Sequence, residues 1–444
     1  MDGNERTDGT EGPVADITWL GTPEGHRAIA EAGALPDTEA PGAVARLRAR
    51  YGGHAAAALT QVALRRAARV KFGADAERWL YTRAGLEQAT RPAVAAHRAA
   101  TYAAAGARTV LDLGCGIGTD ARAFLDAGLD VVAVELDPVT AAVAAANLAP
   151  AVAAGRARVV TGDATALLDG LWSPGVSVFA DPARRTGAGR TWNPADFTPP
   201  WDWAVGLLDR AAATGGVGCL KLGPGLPYRL IPEGVAAEWV SHRGDLVEVA
   251  LWAGAGAGLP AAGTRTATLL DDAGAVHRLV ATDTTVPGRE PAVGTVLWEP
   301  DPAVIRAGAV DTLAALLGAG RVAEEIAYLV GDPAEPADAG APPAGAGAPP
   351  ADAGVEPTAF ATAFRILEVL PAREKVLRAW VRERRVGRLE IKKRGVDTDP
   401  AALRRRLRPS GPYAATLVLT PTPDGARALV VERAERTSPP PSRS

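Results

Sequence analysis

The apolar positions of this 444-residue chain change period along its length. From about Ala43 to Arg98 they recur at helical spacing, with alanine and leucine interrupted by arginine in stretches such as Ala55–Arg69. Pro92 suits the first turn of a helix running through Ala100, where a missing N–H costs nothing. Beyond residue 108 the pattern becomes short apolar runs, at 109–113, 131–134, 158–160, 176–180 and 216–222, separated by Ala-rich helical stretches. Unbroken apolar runs alternating with helices predict strands buried on both faces of a parallel sheet. Segments 237–242 and 246–252, joined at Arg243-Gly-Asp245, predict a closing hairpin and bring the sheet to about seven strands. The fold class expected is therefore α/β, a doubly wound, Rossmann-like sheet.

Residues 265–281 carry a second hairpin signal, and a new unit begins near Val296 with a helical pattern through Leu317. Residues 332–356 are almost entirely Ala, Gly, Pro and Asp without periodicity, which predicts a disordered insertion. After Phe360 come a helix near 372–385, an Arg-rich helix at 400–408 and strands at 415–420 and 427–432. The expected organisation is a disordered or variable N-terminus over 1–40, a helical lid region over 41–105 and the doubly wound domain over 106–255. A β-hairpin connector over 256–295 and a separate α+β domain over 296–436 complete it, and the Pro/Ser-rich tail from Ser438 is expected to be loose.

Composition removes several classes. A 47 % hydrophobic and 22 % charged chain is ordinary for a globular protein. Two cysteines in different elements and five scattered histidines predict neither a disulfide framework nor a metal site. The residues after Met1 lack an apolar leader, and no eighteen-residue apolar run occurs, so a cytoplasmic protein without membrane contact is expected. Scarce lysine with abundant Arg, Ala, Gly and Pro points to a high-GC genome of the actinobacterial type. The net charge of −3 decides little, but its distribution does. Residues 371–408 hold 14 Lys and Arg against 5 Asp and Glu, an excess of nine positive charges. Lys392, Lys393, Arg394, Arg404 and Arg405 there are candidate phosphate contacts for RNA, with a solvated basic helix face as the alternative.

The chemistry is concentrated in four strand ends. Residues 110–118 read Val-Leu-Asp-Leu-Gly-Cys-Gly-Ile-Gly, followed about twenty residues later by an acidic strand end at Glu135 and Asp137. Such a pair fits a nucleotide-type ligand in the first βαβ unit. Gly114, Gly116 and Gly118 are spaced G-x-G-x-G, unlike the pyrophosphate-binding G-x-G-x-x-G, and Asp112 would crowd a phosphate but suit a cation. Asp163 and Ala164 follow the third strand, where Asp163 is either a ligand contact or a helix cap. The fourth strand ends in Asp181-Pro182-Ala-Arg184-Arg185, beside the topological switch point where substrates bind. Lys221 ends the next strand and either faces the substrate or is structural, while Cys219 reads as a buried, inert thiol.

The glycine loop resembles motif I of class I S-adenosylmethionine-dependent methyltransferases. That resemblance implies S-adenosylmethionine as cofactor, with Asp112 and the three glycines at its methionine end. Glu135, or less well Asp137, would meet the ribose, and Asp163 and Ala164 the adenine. Asp181-Pro182 is similar to the Asp-Pro-Pro-Tyr motif of amino-methyltransferases, with Ala183 for the second proline and Arg184 for the aromatic. It implies Asp181 and Pro182 at the acceptor, with Arg184 and Arg185 holding a base or phosphate. Residues 81–92, including Arg91, are similar to the segment before motif I in trimethylguanosine synthase-like RNA methyltransferases. The C-terminal part, with Gly387–Gly395 and Ala415–Thr420, resembles the THUMP-like domain of a group of bacterial methyltransferases. The whole resemblance covers about Arg78–Glu432 without the 332–356 insertion. It implies methylation of a base nitrogen in structured RNA, tRNA or rRNA, with Lys221 and Arg91 on the substrate side. Two alternatives are a methyltransferase for a small molecule or protein, and a cofactor-binding RNA module without catalysis.

Overall fold

The computed structural model describes residues 12–35, 41–184, 192–271, 274–332 and 356–434. The chain forms two compact units, Met1–Ala237 with Glu248–Gly263, and Glu238–Val247 with Thr264–Ser444.

The first unit opens with helices α1 (Pro13–Leu20), α2 (Pro23–Gly33), α3 (Pro41–Tyr51), α4 (Ala55–Phe72), α5 (Arg83–Gln88) and α6 (Pro92–Ala104). Residues 13–33, expected within a disordered or variable N-terminus, are thus helical. Ile17, Leu20, Ala28, Ile29 and Ala32 recur at helical spacing and are buried in one core with Ala58, Val62 and Leu64 of α4. Gly25 permits the tight α1–α2 turn, since a Cβ there would lie 2.4 Å from the Leu20 Cα.

The α/β part then runs β1 (Thr109–Leu113), α7 (Thr119–Asp126), β2 (Asp130–Glu135), α8 (Pro138–Asn147), α9 (Ala149–Ala153), β3 (Ala157–Thr161) and α10 (Ala164–Leu171). It continues through β4 (Ser177–Ala180), the short β5 (Ala183–Arg184) and β6 (Phe197–Thr198), α11 (Trp201–Ala213) and β7 (Gly218–Leu222). β8 (Ala236–His242) and β9 (Asp245–Ala253) form the hairpin at which the chain passes between the units. The sheet order here is β3-β2-β1-β4-β7-β9, parallel except for β9, which is antiparallel to β7. The order reverses between β1 and β4, so the switch point lies at the ends of those two strands. Phe124 packs edge to face on Tyr102 and Phe179, and Trp252 lies tilted on Tyr102, with centroids 5.2–5.8 Å apart. The Tyr102 hydroxyl donates to the Val178 carbonyl at 2.5 Å.

The second unit begins with β10 (Arg265–Leu270) and β11 (Val276–Val280), so the hairpin read as a connector adds strands beside β8. β12 (Val296–Pro300), α12 (Pro302–Ala307), α13 (Val310–Leu316), β13 (Gly320–Ala323), β14 (Ile326–Gly331) and β15 (Ala361–Pro371) follow. The chain ends with α14 (Glu374–Glu383), β16 (Val386–Lys393), α15 (Pro400–Leu407), β17 (Tyr413–Thr422) and β18 (Gly425–Arg433). Their seven strands are ordered β13-β14-β12-β15-β18-β17-β16, with β16 and β17 parallel because α15 crosses between them. Leu377, Trp380 and Val381 of α14 and Leu403 and Leu407 of α15 cover one face of this sheet. Of the predicted 332–356 insertion only Asp332 and Glu356 are among the described residues, and the tail from Ser438 lies outside them.

Side chains of α4 and α8 grip the backbone of the segment ahead of β1. Gln61 donates to the Tyr81 carbonyl at 2.8 Å and accepts from the Tyr81 N–H at 2.9 Å. The Asn147 side chain accepts from Leu80 N–H at 2.8 Å and donates to the carbonyls of Leu80 and Ile117 at 3.0 and 2.9 Å. Gly85 lies against the glycine loop, where a Cβ would come 2.3 Å from Ile117 Cγ2. Asn147→Ala strands three backbone groups and is expected to cost roughly 1–3 kcal/mol in urea unfolding. An unchanged midpoint would show that water replaces those bonds without loss.

Candidate functional site

Gly114, Gly116 and Gly118 have φ of 87°, 56° and 88°, a left-handed path that a Cβ would strain. The amides of Gly114 and Cys115 donate to the Val134 carbonyl at 2.8 and 3.0 Å, which pins the loop to the end of β2. There Glu135 accepts from Gly116 N–H at 2.9 Å and from Asp137 N–H at 3.0 Å, so its carboxylate is fixed beside the glycines. Leu136 next to it is 65 % exposed, an apolar surface that sequence reasoning did not single out.

Asp137 and Asp163 do a different job. Asp137 caps α8, its Oδ1 accepting from the Thr140 N–H and hydroxyl at 2.8 and 2.7 Å. Asp163 caps α10 in the same way through Thr165, at 2.8 and 2.7 Å, with Ala164 as the first helical residue. These hydrogen bonds hold both carboxyl groups below the usual carboxylate range. The helix-cap reading of Asp163 therefore describes its Oδ1.

Asp112 is fully buried, and neither carboxylate oxygen has a hydrogen-bond partner among the described residues. Burial pushes its carboxyl well above the usual range, the nearby Asp120 adds to that, and Arg98 opposes it. Arg98 is itself buried, ion-paired with Asp120 of α7 and Glu248 of β9, and lies over the Phe179 ring at 4.5 Å. Thr90 donates to Asp120 at 2.6 Å, tying the segment before α6 to the same group. Three carboxylates thus surround one guanidinium, and Arg98 Nε, Glu248 Oε2 and Thr119 Oγ1 are also unpartnered. An interior with surplus negative charge and an orphaned carboxylate fits a cationic ligand group such as an ammonium.

At the switch point Asp181, just past β4, forms an ion pair with Lys221 of β7. The carboxylate side is the more open, 37 % exposed against 15 % for the lysine. Burial works against the Lys221 charge, but Asp181, supported by Asp120 and Glu248, outweighs it and raises its pKa. Pro182 is buried behind Asp181. Arg184 lies in β5, in register with Phe197, with its side chain outside what is described, and Arg185 lies outside the described residues. The half-buried Trp192 flanks Gly223, where a Cβ would come 3.4 Å from the indole. An aromatic thus stands beside the loop that follows β7.

Arg91 is half-buried at the N-cap of α6. Lys71, which sequence reasoning missed, donates to the carbonyls of Leu86, Glu87 and Ala89 at 2.7, 2.9 and 2.9 Å. Burial lowers its pKa, and Lys221 and Arg91 lower it further, which puts three cations in electrostatic reach of one another. Cys219 is buried inside β7. Among the described residues no group of three or more His, Cys, Asp or Glu is placed to hold a metal ion.

In the second unit the basic residues are not one face. Lys392 pairs with Glu299 at 2.7 Å and lies over Phe364, and Arg394 lies over the Tyr328 ring at 5.0 Å. Lys393, Arg404 and Arg405 are exposed.

Asp112 gives a signed expectation. Its folded-state pKa is raised, so its contribution to stability is complete below the usual carboxylate range and is lost as pH rises through the raised value. Asp112→Asn is expected to stabilise the unliganded protein by roughly 1–3 kcal/mol at alkaline pH, and by less as the pH falls. Thermal unfolding across pH checks this, and a pH-independent difference would contradict it.

A THUMP domain-like family matches residues 361–433, and a domain of unknown function (DUF8688) matches residues 13–68. An uncharacterised S-adenosylmethionine-dependent methyltransferase of Mycobacterium tuberculosis, in strains CDC 1551 / Oshkosh and ATCC 25618 / H37Rv, is 34 % identical over 393 residues. The match spans 84 % of this chain and 95 % of that protein. The crystal structure of a methyltransferase candidate from Porphyromonas gingivalis W83 shares the fold, with a TM-score of 0.68 at 20 % identity, covering 95 % of this chain and 98 % of that one. The chain belongs to the S-adenosylmethionine-dependent methyltransferases and carries a THUMP-like domain in its C-terminal part.

Proposed function

We propose that this methyltransferase modifies a base nitrogen in structured RNA, tRNA or rRNA, in the cytoplasm. The observation that carries the reading is the Asp181–Lys221 pair at the ends of β4 and β7, beside the glycine loop. S-adenosylmethionine supplies an electrophilic methyl on a cationic sulfur. Asp112 and the backbone of Gly114, Gly116 and Gly118 hold its methionine end, where the orphaned carboxylate meets the ammonium. Glu135 takes the ribose hydroxyls, with Asp137 and the Asp163–Ala164 turn bounding the nucleoside. Leu136 offers the apolar surface a base needs.

Lys221 engages Asp181 through Oδ2, which leaves Oδ1 to accept the N–H of an amino acceptor. That contact orients the nitrogen lone pair and gives its proton a place to go, the two demands of an in-line methyl transfer. The neighbouring Pro182 stiffens the turn. Arg184, Arg185, Arg91 and Lys221 supply positive charge for a base or phosphate. The basic excess of 371–408, with Lys393, Arg404 and Arg405 exposed while Lys392 is paired with Glu299 and Arg394 lies over Tyr328, supports RNA as partner.

The test is transfer of tritiated methyl from S-adenosylmethionine to total RNA from a strain lacking this gene, beside a protein extract. Label is expected in RNA, and Asp181→Ala is expected to lose about 100-fold or more in turnover while cofactor affinity stays within about threefold. Lys221→Met is expected to lower turnover by about tenfold with cofactor affinity kept, because the carboxylate loses the cation that positions it, and Lys221→Arg to restore turnover in part. Label in protein would overturn the RNA assignment. Normal turnover by Asp181→Ala would overturn the role of that residue.

A further inference from the structure

Among the described residues, three other than glycine have left-handed backbone, Arg243, Arg385 and Arg408, with φ of 58°, 51° and 54°. Arg243 has a local reason. It shares the two-residue β8–β9 turn with Gly244 (φ 78°), and such turns need positive φ at both positions. The other two stand just past helices, Arg385 two residues beyond α14 and Arg408 directly after α15, in left-handed positions where glycine is favoured because a Cβ is strained.

The two ends are locked together. A Cβ on Gly387 would come 1.6 Å from the Gly411 carbonyl oxygen, and one on Gly411 would come 1.6 Å from that of Arg385. Ser410 and Gly411 both donate to the Val386 carbonyl, at 2.9 and 3.1 Å. Arg378, Ala402, Arg405, Arg406 and Arg408 line a shallow concavity beside this crossing. Glu374 holds Arg378 and Arg406, the latter through Nε at 2.8 Å. Neither Arg385 nor Arg408 has a side-chain hydrogen bond or ion pair among the described residues, and both are exposed.

Favourable contact with the helix dipoles does not account for them. Arg382 already stands in the last turn of α14 and Arg404, Arg405 and Arg406 in that of α15, all without left-handed strain. A strained position kept for a side chain that does nothing inside the fold points to a ligand outside it. We infer that Arg385 and Arg408, with Arg405 of the adjoining concavity, form a phosphate-binding site for the RNA backbone. The choice of RNA rests on the function proposed above. The paired lysine Lys392 and the ring-stacked Arg394 are not part of this site.

The test uses the full chain, a fluorescent 20-nucleotide oligo(U) and anisotropy titrations over a range of salt. Arg385→Gly/Arg408→Gly removes both charges and the strain together. It is expected to raise Tm by about 2 °C or more, to weaken binding about tenfold at low salt, and to flatten the log–log salt slope by about 1.4. Arg385→Gln/Arg408→Gln keeps the strain and is expected to lose the same affinity without the gain in Tm. If the glutamine pair binds oligo(U) as the wild type does, or the wild type shows no salt-dependent binding, the assignment falls. Methyl transfer to RNA is scored separately. Its absence with the binding pattern intact would remove the catalytic reading and leave this site standing.

Discussion

The Arg98 guanidinium is the constraint on which the catalytic unit depends. It comes from α6, ahead of the sheet, and meets Asp120 from the first turn of α7 and Glu248 from β9. Elements separated by 22 and 150 positions are joined through one buried cation. A buried ion pair contributes little net stability, because desolvation offsets most of the attraction, but removing one partner leaves an uncompensated charge. What the triad supplies is geometry. It sets the N-terminus of α7, and with it the exit of the glycine loop, against the segment that Thr90 anchors. Its second consequence is electrostatic, since Asp120 and Glu248 are met by Arg98 and the field of Lys221, while Asp112 is left without a hydrogen-bond partner among the described residues.

The helical N-terminal region serves the same end by other means. Its α4 holds the segment before β1 both by side chain to backbone bonds, through Gln61 and Lys71, and by packing Phe72 against the buried Leu80 and Tyr81, while Asn147 of α8 binds the same backbone from the sheet side. Lys71 is held against its own burial by three carbonyls, and its charge is felt at Lys221 and Arg91. A segment tied at so many backbone points is held in place against the glycine loop.

Local sequence was enough for whatever is determined locally. The apolar runs marked the parallel strands to within a few residues, because a strand buried on both faces has no polar alternation to obscure it. The glycine loop and Glu135 were legible because left-handed turns and strand-end carboxylates are written in short motifs. Long-range pairing was not. Nothing near Lys221 indicates that Asp181 lies opposite, and nothing near Lys392 indicates Glu299. The basic run looked continuous along the chain, yet the sheet turns Lys392 and Arg394 toward Phe364 and Tyr328 and leaves the helix arginines outside. Helices α1 and α2 escaped notice because they are short and alanine- and glycine-rich, and their amphipathic register is set by the core they join.

The two units manage charge in opposite ways, and the ligands proposed for each account for the difference. A small cofactor with a fixed positive charge is best met by a few carboxylates withdrawn from water, where each interaction is strong and misplacement is costly. A polyanion presents its charges at regular spacing in solvent and is best met by exposed guanidinium groups whose gain comes from counterion release. Exposed arginines need no burial to act, only placement. The left-handed ends of α14 and α15 supply that placement at the expense of local backbone strain, as Asp112 supplies the cofactor site at the expense of a desolvated carboxylate. In both units the residue that is least comfortable in the free protein is the one whose discomfort a ligand would relieve or justify.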